Sequence, residues 1–172
     1  MIEIRTATEA DKPEIWEIIK AVISGGDSYA FAPDSSREKM FGFWFAEDKK
    51  TYVAVLSEPS AVAGGLNQQI VGTFFLKANQ PDLGSHIANA GYIVAPKNEG
   101  KGIGRKMAEF SLEEARRIGY QAMQFNFVVK SNEIAVRLWQ NLGFEIIGEI
   151  PEAFQHHENG LTNALIMYRK LW

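Results

Sequence analysis

Ile2, Glu3, Ile4 and Arg5 alternate apolar and charged positions, the period of a short strand. From about Asp11 the period changes. Ile15, Ile18, Ile19 and Val22 recur at helical spacing on one apolar face, with Pro13 in the first turn and Gly25-Gly26 as the stop. A loop over residues 25–36 leads to a second helix, capped by Ser35 or Ser36, with Met40, Phe43 and Trp44 as its buried face. Residues 50–57 read as a strand, 58–68 as a glycine-containing turn, and 69–78 as the next strand. Gln80-Pro81-Asp82-Leu83-Gly84 joins it to a further strand over 85–94. These three strands predict an antiparallel meander.

Beyond residue 94 strands and helices alternate. Residues 95–104 form a glycine-rich loop, 102–118 a helix ended by Gly119, 121–128 a strand, 133–142 a helix, and 144–150 a strand. A last strand covers about 162–171. Strand, helix, strand is a parallel crossover unit. No repeat, low-complexity segment or linker interrupts the chain. The expectation is one α/β (α+β) domain over residues 1–172: a mixed, mostly antiparallel sheet with helices on both faces.

The chain's 172 residues suit a single domain, with 46% hydrophobic and 23% charged residues and a formal charge of −3. A nucleic-acid binder usually carries a basic excess, so no nucleic-acid partner is expected. The absence of cysteine removes disulfides, thiolate metal sites and a cysteine nucleophile together. No apolar run approaches the ~20 residues of a membrane span. The opening segment has no signal-peptide core, so a cytoplasmic protein is expected.

The segment with most chemical content is Val94-Ala95-Pro96-Lys97-Asn98-Glu99-Gly100-Lys101-Gly102-Ile103-Gly104-Arg105-Lys106-Met107. A strand ends, three glycines alternate, and a helix begins. Glycine permits positive φ and close approach of a ligand. Main-chain N–H groups converging at a helix N-terminus favour an anion, and Lys101, Arg105 and Lys106 add positive charge. The pattern is neither a P-loop, which needs Gly-Lys-Ser/Thr, nor a dinucleotide fingerprint, which needs G-x-G-x-x-G in an early βαβ unit.

This loop resembles motif A of the GNAT superfamily of acyl-CoA-dependent N-acyltransferases, with Glu99-Gly100-Lys101-Gly102-Ile103-Gly104 standing for Gln/Arg-x-x-Gly-x-Gly/Ala. Glu99 departs from the usual Gln or Arg. The start, Ile4-Arg5-Thr6-Ala7-Thr8-Glu9-Ala10-Asp11, and residues 131–144 (Ser131-Asn132-Glu133 through Gly143-Phe144, similar to motif B) extend the resemblance over nearly the whole chain. It implies acetyl-CoA as co-substrate and no metal. The backbone of Ile93 and Val94 would hold the pantetheine arm, and the N–H groups of Gly100, Lys101, Gly102, Ile103, Gly104 and Arg105 the pyrophosphate. Asn132 would reach the pantetheine or phosphate region, with an N-cap role as its alternative.

Many members of that superfamily protonate the departing thiolate with a motif B tyrosine. The matching residue here is Trp139, whose indole N–H is not a proton source near neutral pH. A packed aromatic and a pantetheine contact are its two readings. Asn89 and Asn126 sit mid-strand, where asparagine is depleted and a buried amide needs partners. In the resembled fold the fourth and fifth strands part where thioester and amine meet. The two amides are therefore the candidate catalytic residues, with paired structural amides as the alternative. The pair, the small residues around Asn89 and the loop 26–34 are similar to the branch that acetylates proline analogues such as azetidine-2-carboxylate. Tyr29 and Phe31 are candidates for the acceptor pocket, or aromatic plugs of the core.

His156-His157-Glu158 has no further ligand near it in sequence and reads as a surface loop. His86 reads as an edge histidine; Glu149, Glu152 and Tyr92 are candidate polar lining. The expected activity is acetyl transfer to a small-molecule amine, an amino acid or proline analogue, by direct attack in a ternary complex. Acetylation of a protein or peptide and a non-catalytic CoA-binding module are the alternatives. The oligomeric state is left open, with a homodimer as the candidate.

Overall fold

The structure is a computed structural model and describes residues 1–59 and 65–172. Seven strands form one sheet: β1 (Ile2–Thr6), β2 (Lys50–Pro59), β3 (Leu66–Ala78), β4 (Ile87–Val94), β5 (Ala122–Val129), β6 (Glu145–His156) and β7 (Gly160–Lys170). Its order is β1-β2-β3-β4-β5-β7-β6, and every neighbouring pair is antiparallel except β4 and β5. The helices are α1 (Lys12–Ile23), α2 (Arg37–Trp44), α3 (Ile103–Ile118) and α4 (Glu133–Asn141). The mixed sheet with helices is the fold the pattern predicts. β2 and β3 each run further into the expected turn over residues 58–68, and the middle of that turn, residues 60–64, lies outside the described residues.

Two cores sandwich the sheet. Ile15, Ile18, Ile19 and Ile23 of α1 and Met40 and Trp44 of α2 pack on Val53, Phe75 and Ile93. Met107, Ala108 and Leu112 of α3 and Trp139 of α4 pack on Tyr52, Phe74, Leu76, Met123 and Phe125. Successive residues of β3 therefore enter opposite cores, which is why Phe74-Phe75-Leu76 is a continuous apolar run rather than an alternating one. The buried hydroxyl of Thr73 is fully used: it accepts from Trp44 Nε1 at 3.1 Å and donates to Tyr52 O at 2.8 Å.

β6 is longer than its hydrophobic pattern. The pattern stops at Ile150 because register slips between Ile150 and Phe154, a bulge that puts Glu152 at φ 51°. Asn163 Oδ1 takes the Glu152 N–H at 2.9 Å and secures it. Pairing resumes at Phe154, so His156 ends the strand and only residues 157–159 form the turn to β7.

Candidate active site

β4 and β5 pair through only two residue pairs, Ile87–Ala122 and Ala88–Met123. Beyond them the two parallel strands part, and the gap between them is the centre of the site. Parity decides which main-chain groups face it. Asn79 N–H bonds Ile87 O and Ala95 N–H bonds Val71 O, so odd-numbered residues of β4 direct both main-chain groups to β3. Ile93 is one of these: it pairs with Thr73, and its side chain is buried against α1 and α2. The expectation that Ile93 offers its backbone to a pantetheine arm is corrected on that ground. Val94 and Tyr92 turn theirs to the gap, and the Tyr92 carbonyl already accepts the Tyr29 hydroxyl at 2.8 Å.

At the end of β4 the chain enters the glycine loop. Gly100 and Gly102 have φ of 72° and 76°, and a Cβ on either would meet nothing within 4 Å. Both turns require glycine for conformation, and the space beside each Cα is open. Gly104 is different: it lies in α3, where a Cβ would make ordinary contacts with Val94 and Leu138 at 3.6 and 3.8 Å. Lys106 is the first N–H of α3 with a main-chain acceptor, Gly102 O at 3.1 Å. The N–H groups from Gly100 to Arg105 have none among the described residues. Six N–H groups without main-chain acceptors thus lie at the positive end of a 16-residue helix, where an anion is favoured. Lys97, Lys101 and Lys106 stand exposed around it, and Arg105 is exposed while its Nε holds Glu109 at 2.8 Å. Glu99 is exposed as well. Asn98, buried in this loop at 5% exposure, makes no side-chain hydrogen bond within the described residues and has no counterpart in the pattern that singled out the glycines. Asn132 caps α4, its Oδ1 accepting from Ala135 N–H at 3.1 Å.

The two mid-strand asparagines lie on the other face of the sheet. Ala88, Tyr92, Met123 and Phe125 face α3 and α4, so Asn89, Gly91, Gln124 and Asn126 face α1 and α2. Asn89 Nδ2 donates to the Gln124 carbonyl at 2.9 Å, bridging the strands just beyond the last backbone pair. Gln124 Nε2 donates to Asn126 Oδ1 at 2.8 Å, and Asn126 Nδ2 to Asn79 Oδ1 at 2.6 Å. The predicted pair thus belongs to a chain of four amides, of which Asn79 and Gln124 were missed. Gln124 carried a signal, since it is a second polar residue on the same face of β5; Asn79 follows β3 and carried none. Asn89 is half-buried and Asn126 exposed. Lys77 pairs directly with Asn89 across β3 and β4, with Asp48 on its ammonium at 2.5 Å.

An aromatic wall stands beside the amides. Tyr29 stacks on Phe31 at 6.2 Å, Phe31 packs on Phe43 at 4.9 Å, and Phe43 on Phe75 at 5.6 Å. Lys49 lays its ammonium 3.3 Å from the Phe43 ring centre and donates to the Phe43 carbonyl; loss of solvent pulls its pKa down to about 8. Tyr29 and Phe31 therefore pack against the second core, as aromatic plugs on the α1 and α2 side of the sheet. A Cβ on Gly26 would come within 3.9 Å of His157, so the loop after α1 meets the turn between β6 and β7 over this face.

On the opposite face, Trp139 is buried among Phe125 at 4.6 Å, Tyr92 at 4.9 Å and Phe144 at 5.8 Å, a packed aromatic. Tyr92 does not replace the missing tyrosine. Ser111 Oγ gives its proton to Ala108 O at 2.7 Å, so the Tyr92 hydroxyl donates to Ser111 at 2.6 Å, and burial pushes its pKa up. Glu149 is exposed and held by Lys130 and Asn163; His86 borders an open cleft at the far end of the sheet with Gln121 and Trp172. Among the described residues no group of three His, Asp or Glu side chains could hold a metal.

Comparison with known proteins places the chain in a family. Residues 15–144 match the family model described as the acetyltransferase (GNAT) family. The N-acetyltransferase aca1 of Schizosaccharomyces pombe is 34% identical over 152 residues, covering 84% of this chain and 72% of that protein. A GCN5-related N-acetyltransferase from Kribbella flavida superposes with a TM-score of 0.86 at 34% identity, covering 98% of this chain and 97% of the other. A phosphinothricin acetyltransferase from Sinorhizobium meliloti, solved in complex with AcCoA, shares the fold with a TM-score of 0.79 at 19% identity, covering 98% and 88%. The family model and these relatives show that the chain belongs to the GNAT family of acetyltransferases, enzymes that transfer an acetyl group from acetyl-CoA to an amine.

Proposed function

We propose that the acceptor is a small amine carrying a carboxylate, of the amino-acid or proline-analogue type, bound on the face of α1 and α2 and attacked directly in a ternary complex. The observation that carries this reading is the amide chain of Asn79, Asn89, Gln124 and Asn126 at the mouth of the gap, with Lys77 paired opposite Asn89. Amide N–H groups and a nearby cation suit a carboxylate, and amide oxygens suit the ammonium of the incoming amine. Tyr29 and Phe31 supply the apolar wall against which a short side chain would lie. Contact between the loop after α1 and the β6–β7 turn narrows this face, which favours a compact acceptor over a folded protein.

The cradle of residues 100–105 and the main chain of Val94 would hold acetyl-CoA on the side of α3. Bound there, the co-substrate supplies an activated acetyl group. Without a cysteine the chain has no thiol to take that group, which supports direct transfer. Partial matches point the same way: a methionine sulfoximine and methionine sulfone acetyltransferase of Salmonella typhimurium is 36% identical over 59 residues, and an L-amino acid N-acyltransferase of Escherichia coli 31% identical over 67 residues.

The test is acetyl-CoA turnover with a panel of L-amino acids, azetidine-2-carboxylate and methionine sulfoximine, each compared with its carboxamide and with a short peptide. The carboxylates should exceed their amides at least about tenfold in kcat/KM, the worth of one charge-assisted hydrogen bond. Equal use of acid and amide, or preference for the peptide, would overturn the reading.

A further inference from the structure

Two lysines stand at the edge of the aromatic wall, and their charges are met differently. Lys77 lies two residues beyond Phe75 on β3 and so faces the same side of the sheet. Its ammonium is taken by Asp48 at 2.5 Å. Lys49, just before β2, is half-buried, with its ammonium 3.3 Å from the ring centre of Phe43 and 4.7 Å from that of Phe75. It makes no ion pair among the described residues. Its one hydrogen bond there goes to the Phe43 carbonyl in the last turn of α2. An ammonium has three N–H donors, so this helix-capping contact leaves two of them unmatched. The other charged neighbours do not quench it. Glu47 is exposed and makes no ion pair among the described residues, and Lys50 turns to Glu114 on the α3 side at 3.0 Å. The Phe75 ring beneath Lys49 also packs on Gly91, two residues along β4 from Asn89. Unpaired ammonium, aromatic wall and amide chain thus border one surface.

We infer that Lys49 is the residue that selects an acidic acceptor: its ammonium holds the acceptor's carboxylate over the Phe43 and Phe75 rings while the amide chain orients the amine. The inference rests on the acceptor reading above and gives the charge recognition to Lys49 rather than to Lys77. The reason is electrostatic. The charge of Lys77 is already balanced by Asp48, so a carboxylate arriving there must compete with another carboxylate. Lys49 has lost part of its water to two aromatic faces, and the rings return only part of that solvation. A carboxylate supplies the rest through a charge-assisted hydrogen bond, strengthened where water is thin. The low pKa of Lys49, about 8, has the same origin: burial lowers it and Lys77 adds to the effect, while Asp48 opposes it. A neutral carboxamide in the same place offers no charge to complete the pair.

The test measures kcat/KM for the amino acid of the panel with the highest turnover and for its carboxamide, in the wild-type protein, Lys49→Met and Lys49→Arg. Lys49→Met should lower the preference for the acid at least about tenfold, as loss of a hydrogen bond to a charged group does. Lys49→Arg should keep that preference. A lysine that only caps α2 would affect acid and carboxamide alike and leave the preference intact. The pH profile gives a second readout, which also serves if Lys49→Met does not fold. Arginine stays charged throughout, whereas Lys49 loses its charge as pH rises through about 8. The ratio of wild type to Lys49→Arg in kcat/KM for the acid should therefore fall about tenfold from about pH 7 to about pH 9.5. Ionisation of the substrate amine is common to both proteins and cancels. A preference that survives in Lys49→Met, or a ratio flat across that range, would overturn the role of Lys49 and leave the acceptor reading standing. A wild-type protein with no preference for the acid would overturn both.

Discussion

Gly91 is the residue on which the shape of the proposed acceptor face turns. It lies on β4 opposite Phe75, and a Cβ there would fall 2.7 and 2.9 Å from two Phe75 ring carbons and 3.2 Å from the Tyr29 hydroxyl. The Phe75 ring has little room to move: it is 4% exposed and packed by Trp44 at 5.0 Å and Phe43 at 5.6 Å. Gly91→Ala therefore overpacks a closed site, a cost of about 1–3 kcal/mol. For a domain of this size that lowers Tm by roughly 2–12 °C. The Tyr29 hydroxyl must also give way, which strains its bond to the Tyr92 carbonyl and shifts the wall of the proposed acceptor face. Acceptor KM should then rise several-fold, while the acetyl-CoA Kd, which we propose is set on the opposite face, changes by less than about twofold. Differential scanning calorimetry, two-substrate kinetics and titration with acetyl-CoA read the three quantities. An unchanged Tm would refute the close packing; a lowered Tm with unchanged acceptor KM would refute the placement of the acceptor beside Tyr29.

The glycines of the loop should separate. Gly102→Ala puts a side chain at φ 76°, costing about 1–2 kcal/mol, and should raise the acetyl-CoA Kd, whereas Gly104→Ala, with only ordinary contacts ahead of it, should alter neither Tm nor Kd appreciably. Asn126→Ala should cost at least about tenfold in kcat/KM for the acceptor with Tm nearly unchanged, since Asn126 is exposed. Asn89→Ala should cost both activity and Tm, because it also removes the bridge to Gln124; full activity per folded molecule in both variants would return the amides to a structural role. Stability should fall in acid between about pH 4 and pH 2. Asp11, bound by Arg5 at 2.7 and 2.9 Å and by Thr8, has its pKa pulled from the usual carboxylate value to about 2, so its contribution is complete above the unfolded value and lost as pH drops through the folded one. Asp11→Asn should lower Tm at pH 7 and flatten that acid limb.

Where local chemistry decides, the sequence was readable. The cradle follows from three glycines at a strand-to-helix junction, because positive φ and orphan helix N–H groups are properties of that short segment alone. Other features depend on what lies across the sheet. Ile93 and Val94 are equivalent in pattern, and only their register against Thr73 and Gly72 shows which of them faces the gap. Asn89 and Asn126 stood out as polar residues in strands, but Gln124 and Asn79 became partners through pairing between segments far apart in the chain. The β6 bulge hid the strand end for a similar reason: Glu152 is held by Asn163 of the neighbouring strand, not by anything in its own segment.

A crystal structure with CoA and an N-acetylated amino acid bound together tests the central claim most directly. The pyrophosphate should lie within hydrogen-bond distance of the N–H groups of residues 100–105, and the product carboxylate at Asn89 and Asn126, on the other side of the β4–β5 gap. A pyrophosphate held elsewhere, or a product lying on the face of α3 and α4, would contradict it.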